Sequence, residues 1–245
     1  MNLTQQTILL TGGGSGIGLA LAERLHAAGN TVLMCGRDAA RLRAAAERLP
    51  GLRTLVCDVA QAAERQHLFE WATAECPEVN VLLNNAGIQR TVAVVTNTEA
   101  WAATASEIAI NLEAPVHLAL LCVGYWHARQ QAAPFIVNVS SGLGFVPLAR
   151  VPVYSATKAA LHSFTQSLRH QLAGTPAQVI EIIPPAVHTE LGGTDHSFGV
   201  PLAEYADDVM RQLAAGHLEI AYGFSARASQ ASRPELDAIF QQLND

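Results

Sequence analysis

Charge is scarce in this chain: only 15% of its 245 residues are Asp, Glu, Lys or Arg. The balance is acidic, with a formal net charge of −6, and the basic residues form no cluster. A nucleic-acid footprint needs Lys and Arg gathered on one face, so no nucleic-acid partner is expected. Cysteine is scarce too. Cys35, Cys57, Cys76 and Cys122 show no Cys-x-x-Cys pairing and no metal-ligand spacing. Cys35 and Cys57 fall inside apolar runs and read as small buried hydrophobes, which suits a reducing compartment. The nine histidines contain no His-Glu-x-x-His or comparable pattern, so no metal site is expected. The opening Met1-Asn2-Leu3-Thr4-Gln5-Gln6 lacks a basic n-region, and the apolar run after it is too short for a signal peptide. The longest apolar stretch, about 114–126, contains His117 and falls short of the ~20 residues that span a bilayer. A soluble, cytoplasmic protein with no membrane partner is the expectation. No linker, repeat or low-complexity tract divides the chain, so residues 1–245 are expected to form one domain.

What is abundant is apolar: half of the residues are hydrophobic. Short β-branched runs alternate with longer alanine-rich helical patterns. The spacing predicts strands over 7–11, 31–35, 52–57, 79–83, 135–139, 178–183 and 218–221. Helices are predicted over 16–28, 38–49, 61–75, 99–131, 153–172, 202–215 and 233–243, with Asp38 as an N-cap. Strands separated by helices of this length need right-handed crossovers. They build an α/β fold, a Rossmann-type doubly wound parallel sheet in three layers.

Thr11-Gly12-Gly13-Gly14-Ser15-Gly16-Ile17-Gly18 joins the first strand to the first helix. Glycines there allow a tight turn, a close approach of backbone to a pyrophosphate, and close helix–strand packing. Gly12, Ser15, Gly16, Ile17 and Gly18 are therefore candidate dinucleotide-binding residues. After the second strand, an NAD site usually places an acid to bind the ribose 2′-hydroxyl. This chain has Cys35-Gly36-Arg37 instead. Arg37 offers a charged fork suited to a 2′-phosphate, which favours NADP over NAD; otherwise it is a solvated arginine at a helix start. Asp58-Val59 ends the third strand, where the carboxylate can meet an adenine amino group, cap the next helix, or both. Asn84-Asn85-Ala86-Gly87 ends the fourth, where Asn85, Ala86 and Gly87 can line the ribose site.

Tyr154 and Lys158 lie four residues apart, so they share one helix face. A nearby ammonium favours the phenolate, so Lys158 is expected to lower the Tyr154 pKa and to hold the nicotinamide ribose. Ser141, just past the fifth strand, can donate to a substrate oxygen that gains negative charge. Asn111 stands amid apolar neighbours and is expected to have a buried partner, or to hold a water that links Lys158 to solvent. Taken singly, these residues pass for solvated helix pairs, loop serines and structural amides. Their joint order and spacing point to hydride and proton transfer between an alcohol and a carbonyl.

The glycine turn, Asn84-Asn85-Ala86-Gly87, Asn111, Ser141, Tyr154 and Lys158 together resemble the short-chain dehydrogenase/reductase family over essentially the whole chain. The ending, including Gly223-Phe224-Ser225 and Ala231 to Leu236, is similar to its DltE-like subgroup. The resemblance implies a Rossmann-type fold, NAD(P), carbonyl–alcohol redox chemistry on a small molecule, and a homodimer or homotetramer paired through the helices near 99–131 and 153–172. It assigns Asn111, Ser141, Tyr154 and Lys158 to the catalytic set, and places Pro184, Val187 and Thr189 at the nicotinamide. The family's Pro-Gly-x-Val-x-Thr reads Pro184-Pro185-Ala186-Val187-His188-Thr189 here. Pro185 stiffens the entry to an expected substrate loop at about 188–216. Gly192, Gly193 and Gly199 are candidate hinges. His188, Asp195 and His196 are candidate substrate contacts, though such loop residues are more often simply solvated. Leu143, Phe145, Val146 and Leu148 suggest an apolar wall. Reduction of an imine or other C=N bond, and a non-catalytic NADP-binding sensor, are the alternatives.

Overall fold

The computed structural model describes residues 4–96, 101–191 and 199–245. Its strands are β1 (Thr7–Thr11), β2 (Thr31–Gly36), β3 (Arg53–Val56), β4 (Val81–Asn84), β5 (Phe135–Val139), β6 (Gln178–Ile183) and β7 (Glu219–Ala221). They form one sheet, parallel at every pairing, in the order β3-β2-β1-β4-β5-β6-β7. The helices are α1 (Gly16–Ala27), α2 (Ala39–Arg48), α3 (Ala62–Glu75), α4 (Trp101–Ile108), α5 (Ala114–Arg129), α6 (Pro152–Gln171), α7 (Leu202–Ala214), α8 (Phe224–Gln230) and α9 (Arg233–Asn244).

The apolar strands are read on both faces. All five residues of β1 are buried, and Ile8 and Leu10 pack with Leu21, Leu42 and Val209 of α1, α2 and α7. Leu9 points the other way, toward Leu68, Leu118 and Leu168 of α3, α5 and α6. Period-two alternation thus feeds two cores, and the helices enclose the sheet in three layers, the Rossmann-type α/β architecture expected. The strand order reverses between β1 and β4. That opens the crevice at the carboxyl ends of the strands where ligands bind in such sheets. The four cysteines are buried free thiols.

β5 and β6 keep their predicted limits. β4 starts two residues later than expected, although the Asn80 backbone still bonds to both flanking strands, donating to the Thr7 carbonyl at 3.0 Å and accepting from Phe135 N at 2.8 Å. Trp126 Nε1 donates to the Val79 carbonyl at 2.8 Å, and Asn80 Oδ1 accepts from Thr7 N at 2.9 Å. Asp38 caps α2 as expected, accepting from the amides of Ala40 and Arg41 at 2.8 and 3.1 Å. Asp58 does not cap α3; Gln61 holds that position, and Asp58 Oδ1 accepts from Ala60 N within a turn. The long helical tract is described from Trp101, with 99 and 100 outside the described residues, and is interrupted by a π-helical segment over Ala109–Glu113. Contrary to the sequence expectation, Trp101–Arg129 is long and apolar enough to cross a membrane by length and composition. It packs here against α3 and the sheet through Leu118, Ala119, Cys122 and Trp126. The seven-residue α8 was not predicted, since a helix this short shows too little periodicity to read.

At Gly18, α1 crosses the β1 turn and the end of β4. A β-carbon there would stand inside contact distance of the Gly12 carbonyl oxygen and Asn85 Nδ2. Gly18→Ala is expected to cost about 1–3 kcal/mol through overpacking and to lower the melting temperature by several degrees. An unchanged thermal melt would show that the crossing has room to spare.

Candidate active site

One stripe of α6 carries the site. Tyr154, Lys158, His162, Thr165 and Arg169 follow one another at intervals of four, four, three and four residues, so they share a helix face. Beneath them the sheet presents an in-register row: Asn84 of β4, Asn138 of β5, Glu181 of β6 and Glu219 of β7. Asn84 Nδ2 donates to Asn138 Oδ1 and Asn138 Nδ2 donates to Thr165 Oγ1, both at 2.9 Å. His162 Nδ1 lies 2.9 and 3.1 Å from the two carboxylate oxygens of Glu181. Arg169 bonds Glu219 at 2.9 Å and the Val179 carbonyl at 3.0 Å. Polar pairing therefore sets the rotation of α6 on the sheet, which aims Tyr154 and Lys158 at the crevice.

Lys158 is the only lysine of the chain. Its side chain is 3% exposed, and Nζ donates to the Val139 carbonyl at 2.8 Å. Burial brings its pKa down to about 8, while the negative charge of Glu181 pulls the other way. Glu181 is fully buried, and its hydrogen bond keeps His162 above the ordinary histidine range against the opposing effect of burial. Tyr154 is buried and hydrogen-bonded to Ser141. Burial pushes its phenol up to about 12; the Ser141 bond lowers it and the charge of Glu107 raises it. The expectation that Lys158 holds Tyr154 below its ordinary value is thus overturned. Desolvation dominates the phenol, and the ammonium is spent on Val139, 5.6 Å from the centre of the Tyr154 ring.

Asn111 is fully buried in the π-helical segment. Its side chain clamps Ile88, accepting from N and donating to O at 2.9 Å each, and donates to Thr157 Oγ1 at 3.2 Å. The clamp sets Gly87 beside Lys158: a β-carbon on Gly87 would lie 3.7 Å from Nζ. Four residues before Asn111, sequence reasoning missed Glu107. It is fully buried, Oε1 accepts from Arg90 N at 3.2 Å, and Oε2 has no hydrogen-bond partner. Burial raises its pKa. A carboxylate one turn from a buried amide, in an apolar run, was the available signal.

Across the crevice, the glycine turn follows β1. Gly12 N and Gly13 N donate to the Cys35 carbonyl at 2.9 and 3.1 Å. Asn85 Nδ2 donates to the Thr11 and Gly12 carbonyls at 3.1 and 3.0 Å, while Thr11 Oγ1 accepts from the amides of Asn85 and Ala86. Ser15 makes no side-chain cap on α1, so the first-turn amides of Gly16, Ile17 and Gly18 are left to an external anion. Gly16 has φ +54°, and a β-carbon there would meet only Thr189, at 3.4 Å. These features fit a dinucleotide pyrophosphate. Arg37 is exposed beyond β2. Val59 is buried beside Asp58, and the Val59 carbonyl accepts from the buried Arg65 of α3 at 2.7 Å. Pro184 is buried after β6, its carbonyl accepting from Gly142 N at 3.0 Å. Val187 bridges Val200, which carries Thr189 back over the glycine turn.

The apolar wall expected after Ser141 is divided. Val146 is buried, and Phe145 packs against His162 with ring centroids 4.4 Å apart and the planes tilted by 56°. Leu143 and Leu148 line a separate hollow of about 300 Å³ with Pro147, Pro152 and Ala156. On the expected substrate loop, His188 N donates to the Val200 carbonyl at 2.9 Å and Gly199 has φ +121°. Gly192, Gly193, Asp195 and His196 lie outside the described residues.

The buried ammonium has a consequence for stability. Its folded pKa of about 8 lies below the ordinary 10.5. Below pH 8 both states hold the proton and folding carries the full desolvation cost, roughly 3 kcal/mol. Between 8 and 10.5 the folded chain releases its proton first, so this contribution to stability rises with pH. Lys158→Met is expected to be more stable than the native chain to urea at pH 7, with the gain fading toward pH 10.5. A variant no more stable at pH 7 would contradict a desolvated ammonium.

Residues 6–197 match the short chain dehydrogenase family model. The chain is 44% identical over 250 residues to the uncharacterised oxidoreductase DltE of Bacillus subtilis (strain 168), covering all of this chain and 98% of DltE. It is 32% identical over 199 residues to an uncharacterised oxidoreductase of Staphylococcus saprophyticus, covering 79% of this chain and 83% of the relative. Among solved structures, a short-chain dehydrogenase from Sphingobium yanoikuyae in complex with NADPH superposes with a TM-score of 0.82 at 27% identity, over 97% of this chain and 94% of that one. A Burkholderia cenocepacia short chain dehydrogenase in complex with NADP shares the fold, with a TM-score of 0.84 at 22% identity over 99% of both chains. The chain is an oxidoreductase of the short-chain dehydrogenase/reductase family, which binds a nicotinamide cofactor, and belongs to its DltE-like group.

Proposed function

We propose that the chain is an NADP(H)-dependent oxidoreductase that interconverts a ketone or aldehyde and the corresponding alcohol. The observation that carries this reading is the buried Tyr154 phenol, hydrogen-bonded to Ser141 and on the same α6 face as Lys158. The nicotinamide supplies or accepts the hydride when bound. Tyr154 moves the proton at the substrate oxygen, and Ser141 donates a hydrogen bond to that oxygen as it gains charge. Lys158 holds the ribose and returns the proton to Tyr154. Asn111 keeps Gly87 and Ile88 in place beside it.

The phenol pushed up to about 12 is neutral at physiological pH, which is the acid form that carbonyl reduction needs. Arg37, following a strand β2 that ends in Gly36 rather than an acid, supports NADP over NAD, as does the NADPH held by the Sphingobium relative. Gly12, Ser15, Gly16, Ile17 and Gly18 take the pyrophosphate, Asp58 and Val59 the adenine, Asn85, Ala86 and Gly87 the ribose, and Pro184, Val187 and Thr189 the carboxamide. One domain with a substrate loop near 188–216, a cytoplasmic location consistent with four free thiols, and a homodimer or homotetramer complete the reading. Trp101 and Leu120, 71% and 60% exposed on α4 and α5, supply apolar surface for a second copy.

Two measurements test it. Tyr154→Phe is expected to lower turnover of a ketone or aldehyde by about 10²–10⁴ and to leave the NADPH dissociation constant within about twofold. Native turnover in Tyr154→Phe would sink the acid/base assignment. The native reductive rate is expected to fall above about pH 8, where Lys158 loses its proton. A profile flat to pH 10 would remove Lys158 from the relay.

A further inference from the structure

The polar row beneath α6 holds two carboxylates, and their partners differ in kind. Glu219 of β7 is bonded by Arg169, and an arginine does not give up its proton in proteins. Glu181 of β6 is paired with His162, and a histidine takes and gives up a proton near neutrality. Either partner fixes the rotation of α6, but only the imidazole can also carry a proton. Lys158 stands close to this pair. Its Nζ bonds the carbonyl of Val139, which lies in register with Ile182, the residue after Glu181. Glu181 is therefore one strand across and one residue back from the carbonyl that holds the ammonium, about 4.8 Å and 3.3 Å in the two directions. Its charge acts on Lys158. His162, one helical turn on from Lys158, sets Nδ1 2.9 and 3.1 Å from the two Glu181 oxygens. A carboxylate only accepts, so Nδ1 carries the hydrogen of that bond, and Nε2 is the nitrogen that can take a further proton. Lys158 is 3% exposed and the Glu181 side chain 0%, whereas the His162 side chain is 19% exposed. His162 is the member of the three that reaches water.

We propose that Glu181 and His162 form a proton path between Lys158 and solvent, with His162 as the port through which the site is recharged after each reduction. The two residues act through Lys158 and touch neither substrate nor cofactor. The inference rests on the carbonyl–alcohol reading, in which each reduction consumes one hydride from the nicotinamide and one proton. Tyr154 gives its proton to the substrate oxygen, and the Lys158 ammonium replaces it. Lys158 is then a buried amine that needs a proton from within the protein. His162 takes a proton from water at Nε2 and gives its Nδ1 proton to Glu181, and the Glu181 carboxyl gives its own to the Lys158 amine. A turn of the ring restores the starting tautomer. One proton enters from water, one leaves on the alcohol, and every protein group returns to its starting charge. The Glu181 bond holds the imidazole above the ordinary histidine range against burial, Glu219 adds to the rise and Arg169 opposes it. The port is thereby kept loaded over more of the neutral range. Phe145, four residues after Ser141, packs against the ring and keeps it over Glu181.

The experiment is stopped-flow oxidation of NADPH at pH 7 with a ketone or aldehyde that the native chain reduces, resolving the first turnover from the steady state. The native chain, His162→Gln, His162→Ala and Glu181→Gln are compared, each checked for folding by its thermal melt. Glutamine at 162 can still donate to Glu181 but cannot carry a proton. Tyr154 holds its proton before the first turnover, so His162→Gln is expected to complete that turnover at the native rate. Its steady state is then expected to slow by about a hundredfold, the low end of what a positioned proton carrier contributes. Glu181→Gln is expected to show the same burst, which keeps the test open if the histidine variants do not fold. In His162→Ala the slow phase is expected to quicken in proportion to imidazole added to the buffer. First turnover and steady state falling together in His162→Gln and Glu181→Gln would show that the pair only aims α6, and would overturn the path. A native steady state in either variant, or a slow phase in His162→Ala that imidazole leaves unmoved, would overturn it too. A native chain that binds NADPH and reduces no ketone or aldehyde would instead overturn the carbonyl–alcohol reading itself.

Discussion

The pairing of one α6 stripe with a polar row across the sheet is the constraint on which the site depends. Apolar helix–sheet contacts are non-directional and tolerate a helix that slides or rolls. Hydrogen bonds from Asn138 to Thr165 and from Arg169 to Glu219, and the pairing of His162 with Glu181, do not. Asn138, Thr165 and Glu181 are buried, and an unmade bond there leaves a costly unsatisfied group, so these positions favour one rotation and one register of α6. Tyr154 and Lys158 continue the same stripe past the carboxyl ends of the strands. They inherit their aim from residues that never touch the crevice.

Burial then determines the chemistry. The surroundings that lock α6 also exclude water, so the phenol rises to about 12 and the ammonium falls to about 8. Each shift favours the neutral form of its group, and each is the mark of desolvation. The buried charge of Glu181 opposes the fall of Lys158, and the Ser141 bond opposes the rise of Tyr154. Both groups are held away from their most stable solvation, and the surrounding hydrophobic cores supply the stability that makes this tolerable.

Much of this was legible in the sequence because it is local. The glycine turn, the crossover helices and the Tyr154–Lys158 spacing each occupy a single strand–turn–helix unit or a single helix face. The row Asn84, Asn138, Glu181 and Glu219 was not legible as a row, since it needs the order and register of four strands. Its one local clue is a lone carboxylate inside Val179-Ile180-Glu181-Ile182-Ile183, which requires a buried partner. The direction of the Tyr154 shift was misread for a related reason. Spacing shows that an ammonium can approach a phenol, but not that the Val139 carbonyl has already taken it. Phe145 and Leu148 follow Ser141 closely in sequence yet turn to His162 and to a separate hollow, because the short helical turn at Gly142–Gly144 redirects the chain.

The central claim is that Lys158 is a desolvated ammonium held by the sheet beneath it, and the sequence allows it to be read directly. With one lysine in the chain, protein labelled with 15N-lysine gives a single side-chain nitrogen signal. Its pH titration by NMR is expected to show a midpoint near 8, moving lower still in Glu181→Gln. A midpoint at the ordinary 10.5, unmoved by that substitution, would mean that the ammonium is solvated and that the polar row does not govern the site.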